Sequence, residues 1–162
     1  MSSDSELRFV TGDATAPIGD GPKIIAHICN DIGGWGAGFV GALSKRWKQP
    51  ERAYRAWYRS GEGGGFRLGA AQLVEVGEGL FVANIIGQRD IKRGRDGTPP
   101  VRYDAMREGL AAVRAHAIER GATVHMPRIG CGLAGGDWAI VEAMVREELV
   151  AHKINVTVYD LA

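Results

Sequence analysis

The sequence carries no excess of either charge: 20 Lys+Arg stand against 19 Asp+Glu, a formal net charge of +1. A general basic field is therefore excluded as the means of reaching nucleic acid or an anionic membrane. Cysteine is scarce, with only Cys29 and Cys131, far apart in the chain. A disulfide framework is excluded, and both thiols are expected to be free in a reducing compartment. His27, His116, His125 and His152 share no metal-ligand spacing with one another or with the cysteines, so no metal site is expected. No apolar run approaches the ~18 residues of a membrane-crossing helix. The polar start Met1–Glu6 has neither the basic nor the apolar region of a secretory signal. A cytoplasmic protein with no membrane partner is expected.

What is abundant is glycine, 24 of 162 residues, about twice the ~7% of average usage. The chain is otherwise an ordinary globular mixture, 45% hydrophobic and 24% charged, and its length suits one domain, read as residues 1–162. Surplus glycine in such a chain marks places where backbone must approach something closely.

Elements follow from periodicity and punctuation. Leu7–Thr11 alternates and ends at Gly12-Asp13, a strand running into a turn. Lys23–Ile28 is an apolar run suited to a buried strand; Phe39–Trp47 and Glu51–Arg59 read as helices. Gln72–Val76 and Leu80–Ile86 form a strand pair through Gly77-Glu78-Gly79, and a polar, basic loop follows from Gly87 to Thr98. Met106, Leu110, Val113 and Ala117 recur at steps of three and four on a helix stopped by Gly121. Thr123–Met126 is a strand, Asp137–Ala151 a helix, and Ile154–Tyr159 a last strand. Alternating strands and helices predict a three-layer α/β/α sandwich around a central sheet, mixed because of the early strand pair.

Two glycine-rich segments follow strands and open helices: Asn30–Gly41 and Arg128–Trp138. Each contains a Gly-x-Gly-x-x-Gly match, Gly36/Gly38/Gly41 and Gly130/Gly132/Gly135. Neither fits a dinucleotide fold, which requires an acidic residue about 20 positions on, at the end of the next strand. No Gly-Lys-[Ser/Thr] follows, so a P-loop is excluded. Alone, each loop could be a tight structural turn. Together, at strand ends, they suit one diphosphate held by main-chain N–H groups and helix starts.

In these residues the chain resembles the macrodomains, ADP-ribose-binding α/β/α modules. The resemblance is nearest to the class of the terminal ADP-ribose protein glycohydrolase and the antitoxin macrodomains that reverse DNA ADP-ribosylation. Gly12-Asp13, Ala26-His27 running into Gly36-Ala37-Gly38, Met126-Pro-Arg-Ile-Gly-Cys-Gly-Leu133 and Val156-Thr-Val-Tyr159 carry it. It implies that Asp13 accepts from the adenine amino group and that Tyr159 lies against the base. Gly36, Ala37, Gly38 and Phe39 would line one side of the diphosphate, and Gly130, Cys131, Gly132 and Leu133 the other. Asn30 would face the distal ribose, and Ala14, Asp31, Gln88 and Ile129 complete the expected ligand-binding set. Ala134 stands where the glycohydrolase has its catalytic acid, and Gln88 where it has its lysine. Those departures count against a covalent lysine route.

Asp137 is then the expected general base, activating water against the distal ribose; its other reading is the N-cap of the last helix. Asn30 is either the residue that orients the ribose or an Asx turn shaping its loop. Cys131 and His27 read better as packed residues than as nucleophile and acid-base group. Trp47, Tyr54, Trp57 and Tyr58 read as packing. Arg89, Lys92, Arg93, Arg95 and Arg102 form a basic stretch, either a solvated loop or a hold on a nucleic-acid backbone. The expected function is an ADP-ribosyl hydrolase releasing mono-ADP-ribose from acidic side chains or DNA nucleobases. Its partners are ADP-ribose and ADP-ribosylated protein or DNA; it needs no cofactor and is expected to be a monomer. The alternatives are a non-catalytic ADP-ribose reader and an ADP-ribose 1″-phosphate phosphatase.

Overall fold

The computed structural model describes residues 5–161. In chain order it runs β1 (Leu7–Thr11), β2 (Lys23–Asn30), α1 (Phe39–Arg46), α2 (Gln49–Ser60), β3 (Ala71–Gly77) and β4 (Leu80–Gln88). The remainder is α3 (Tyr103–Arg120), β5 (Thr123–Met126), α4 (Trp138–Glu148) and β6 (Val156–Asp160), with short 3-10 turns at Glu62–Gly64 and Val150–His152. The strands form one six-stranded sheet in the order β1-β6-β5-β2-β4-β3. Only β3 is antiparallel, hydrogen-bonded to β4 as the second arm of a hairpin; the other pairings are parallel. The sheet is mixed, as the sequence predicted.

Strand β2 shows why three layers form. Its side chains alternate between faces. Ile24 and Ala26 join Met106, Leu110, Val113 and Ala117 of α3, with Val141 and Val145 of α4, in one core. Ile25 and Cys29 join Val40 and Leu43 of α1 and Tyr54 of α2 in the other. Both cores carry fully buried side chains, so neither face of the central strands meets water. A parallel sheet requires such covering.

Some boundaries differ from the sequence pattern. β2 runs on to Asn30, with a register irregularity between Cys29 and Asn30 against β4. Gly41 lies inside α1, so the first Gly-x-Gly-x-x-Gly match is a loop plus the first helical turn, not one continuous cradle. α4 stops at Glu148, and a 3-10 turn replaces its expected last turn. Trp47, Tyr54, Trp57 and Tyr58 pack as expected, but around an aromatic the pattern did not single out: Phe66 meets Tyr54, Trp57 and Tyr58 at 5.2–5.8 Å between ring centroids. Among the described residues no helix is long and apolar enough to cross a membrane.

Because β1, β6, β5, β2 and β4 are parallel, their carboxyl ends share one edge of the sheet. Both glycine loops, the Gly12–Thr15 turn and the basic loop all leave from that edge. Open α/β sheets bind ligands there.

Candidate functional site

The turn after β1 is built by Asp13. Its Oδ1 accepts from the Thr15 N–H at 2.8 Å and the Thr15 hydroxyl at 2.7 Å. Arg46 donates from Nε to Thr15 Oγ1 at 2.7 Å and places Nη2 3.6 Å from Asp13 Oδ2. The Thr15 hydrogen bonds, with Arg46 behind them, hold the Asp13 carboxyl below its ordinary value. Opposite lies Tyr159, whose hydroxyl accepts from Ile18 N at 3.0 Å and bonds His125 Nδ1 at 2.7 Å. Between them is a cleft of about 490 Å³, walled by Asp13, Ala14, Tyr159 and one face of α1: Phe39, Ala42, Lys45 and Arg46.

A second cleft of about 200 Å³ adjoins it, and Phe39 and Pro127 line both. One wall is Ala37, Gly38 and Phe39 at the start of α1; the other is Ile129, Gly130, Gly132 and Leu133 after β5; Gln88 closes one side. Helix α1 enters the cleft uncapped. Its N-cap is Gly38, at φ 82° and ψ −142°, a conformation open to glycine alone, and no side chain bonds the first turn. The first turn also holds no acidic residue. The Gly41 N–H closes on Gly38 O at 3.1 Å, which leaves the Phe39 and Val40 N–H groups and the positive end of the helix dipole to whatever enters. In the facing loop, Gly130 takes φ 70° and packs on Met106. The Gly136 N–H closes the loop on Gly130 O at 2.7 Å. The Gly132 and Leu133 N–H groups meet no backbone acceptor among the described residues. Two sets of free amides thus face one space, with Arg128 at its edge. That arrangement suits a diphosphate.

Comparison with known proteins now decides the family. A Bacteroides thetaiotaomicron protein of unknown function is 58% identical, with a TM-score of 0.94 over 97% of this chain and 99% of that one. A macrodomain protein from Streptomyces coelicolor is 52% identical, with a TM-score of 0.86 over 96% and 99%. Human ADP-ribose glycohydrolase OARD1 is 30% identical over 97% of this chain and 93% of its own length. The chain belongs to the macrodomain family. No protein-family model matches it. Chromodomain-helicase-DNA-binding protein 1-like from Danio rerio is 31% identical over 98% of this chain, but the chain spans only 16% of that protein's length. The Thermosipho africanus DarTG structure in complex with ADP-ribose shares the fold at 18% identity, with a TM-score of 0.77 over 100% of this chain and 43% of that one.

Several expected residues of this macrodomain stand apart from the cleft walls. Asn30 is committed to its own loop: Oδ1 accepts from Ile32 N, Gly34 N and the Tyr54 hydroxyl at 2.8–3.0 Å, and Nδ2 donates to Gly34 O at 2.8 Å. One Nδ2 hydrogen is left without an acceptor among the described residues. Asp31 accepts from Asp90 N at 2.7 Å, tying the first glycine loop to the basic loop. Gly36 and Cys131 are not on either cleft wall. Burial and the neighbouring Asp137 push the Cys131 thiol above its ordinary value. His125, its conceivable base, spends both ring nitrogens on Thr123 and Tyr159. Asp137 caps α4, accepting from Ala139 N at 2.9 Å, and stands exposed beyond the second loop. Gln88, by contrast, lines the second cleft, and its Nε2 donates to Asp90 O at 2.9 Å.

The basic stretch divides in two. Arg102 donates to the carbonyls of Pro99, Pro100 and Val101 and so clasps its own loop. Arg93 bonds Gly97 O at 2.9 Å and lies near Gly135 of the second glycine loop. Arg89, Lys92 and Arg95 are exposed at that rim. Lys45, Arg46 and Arg128 were missed as cleft residues. For Arg46 a signal existed, because Phe39, Ala42 and Arg46 share one helical face at spacings of three and four.

Proposed function

We propose that the two clefts form one groove for ADP-ribose and that the protein removes mono-ADP-ribose from acidic side chains or from DNA nucleobases. One observation carries the binding: Gly38 and Gly132, from separate strand-to-helix junctions, line the same cleft. Adenine would occupy the larger cleft between Asp13 and Tyr159, the diphosphate would lie against the amides, and the distal ribose would extend toward Gln88 and Leu133.

Cleavage is supported by the human relative's name, ADP-ribose glycohydrolase, at 30% identity across the chain. The bond broken joins the distal ribose C1″ to its acceptor. Water attacks an oxocarbenium-like centre, positioned by the fixed diphosphate. Asp137, through the Oδ2 that its capping bond leaves free, orders that water, while Asn30 fixes the loop below. No lysine step is involved, because Gln88 stands at that position.

One observation favours a second reading, a reader that binds without cleaving. Among the described residues lining the second cleft there is no carboxylate and no lysine. Incubation with glutamate-linked ADP-ribose, ADP-ribosylated DNA and ADP-ribose 1″-phosphate separates the readings. Release of free ADP-ribose from either of the first two supports the hydrolase, and phosphate release from the third supports a phosphatase. Tight binding with no release from any of them establishes the reader.

A further inference from the structure

The second cleft is lined in part by a buried histidine, His27, to which the proposed function gives no role. His27 pairs across the sheet with Asn84 of β4, and its Nε2 lies 2.5 Å from Asn84 Oδ1. The Asn84 amide nitrogen donates to Pro50 O at 3.2 Å and to Gln72 Oε1 at 3.0 Å. Oδ1 is therefore the acceptor, which places the imidazole proton on Nε2 and leaves a lone pair on Nδ1. That Nδ1 is buried and meets no donor among the described residues. Two aromatic rings pack against the imidazole. Trp35 packs edge-on at 5.5 Å and 84°, and Phe39 lies at 5.9 Å.

A buried acceptor without a donor is costly, and this one belongs to a residue that lines the second cleft together with Ala37, Gly38 and Phe39. Geometry restricts what could satisfy it. With the base at Asp13 and Tyr159 in the first cleft, the part of the ligand above His27 is the diphosphate and the distal sugar. Ionised phosphate oxygens carry lone pairs only and cannot donate. A sugar hydroxyl can. Burial also pushes the imidazole down to about 4, so near neutral pH it offers no cation to the diphosphate.

We propose that His27 is a specificity-determining acceptor: its fixed Nδ1 takes a hydrogen bond from a distal-ribose hydroxyl, directly or through one water. This rests on the ADP-ribose reading of the groove. It selects a sugar over a bare phosphate at that end of the ligand. Asn84 and Gln72 are positioning residues, which hold the tautomer that exposes the lone pair.

The test compares ADP-ribose with ADP, which lacks the distal ribose, by calorimetric titration of wild type and His27→Gln. The glutamine amide can keep the bond to Asn84 but has no acceptor where Nδ1 lies. Loss of one neutral hydrogen bond is expected to weaken ADP-ribose binding about 3–10-fold while ADP binding stays within about twofold. Nitrogen NMR of the wild-type imidazole provides a readout that does not depend on the variant folding. The Nδ1 resonance is expected to move on adding ADP-ribose and to stay in place on adding ADP. An equal loss for both ligands, no loss for ADP-ribose, or an Nδ1 resonance indifferent to ADP-ribose overturns the inference. Failure of the wild type to bind ADP-ribose overturns the reading of the groove instead.

Discussion

Asp137 holds two roles that can be separated by choosing the replacement. Alanine removes both the cap and the carboxylate, whereas serine keeps a capping oxygen and removes only the base. Asp137→Ala should lower stability by about 1 kcal/mol and slow ADP-ribose release by about 10²-fold or more. Asp137→Ser should keep the melting temperature near that of the wild type and still lose the activity. An active serine variant leaves Asp137 as a helix cap alone. Legibility at this scale was uneven. The capping reading of Asp137 was open in the sequence because a cap is local, set by Gly135-Gly136 before it and the helix after it. Asn30 reads in the sequence either toward the ribose or as an Asx turn, and most of its amide is bonded inside residues 30–34 and to Tyr54, as the turn requires. Residue type permits either role; only the path of the loop decides. The free lone pair of His27 was illegible for a different reason. It depends on the register that sets His27 opposite Asn84, 57 positions away, and on what Asn84 does with its other atoms.

The glycine loops and the rim loop carry predictions at the level of elements. Gly132 differs from Gly38 and Gly130 in having no left-handed φ, and a Cβ there meets nothing within 4 Å. Gly132→Val should therefore leave the melting temperature close to that of the wild type while its side chain projects into open space beside the free amides. ADP-ribose affinity should fall more than about tenfold as those amides lose the phosphate. The rim loop separates the two proposed acceptors. Lys92→Glu combined with Arg95→Glu should slow release from ADP-ribosylated DNA several-fold, more at low salt than at high, and leave a glutamate conjugate unchanged. Equal rates on both substrates place the loop outside the carrier's path. Element order was readable because the strands and helices are strongly patterned, and the two loops stood out through glycine. The long-range bonds were not readable. Asp31 tying its loop to Asp90, and Arg102 folding back on its own carbonyls, arise only once distant segments meet.

At the scale of the molecule, two buried histidines link stability to acidity. Burial pushes both His27 and His125 from 6.5 down to about 4. Both are neutral in the folded protein, whereas the unfolded chain takes up protons below about 6.5. Their contribution is fully present above that pH and is lost as pH falls toward and through 4, a few kcal/mol in sum. Melting temperature should therefore drop across pH 6.5 to 4, and a double His27→Gln, His125→Gln variant should show a flatter profile there. An equally steep profile in the double variant assigns the acid sensitivity to other groups. The five parallel strands bring four loops to one edge, and the proposed groove holds a diphosphate between two of them. Calorimetric titration with ADP-ribose, NAD and AMP examines that directly. ADP-ribose should bind at least about tenfold more tightly than AMP, which has one phosphate and no distal sugar, and Gly132→Val should erase the difference. Equal affinity for ADP-ribose and AMP, or an undiminished preference in Gly132→Val, would contradict a diphosphate held between the Gly38 and Gly132 loops.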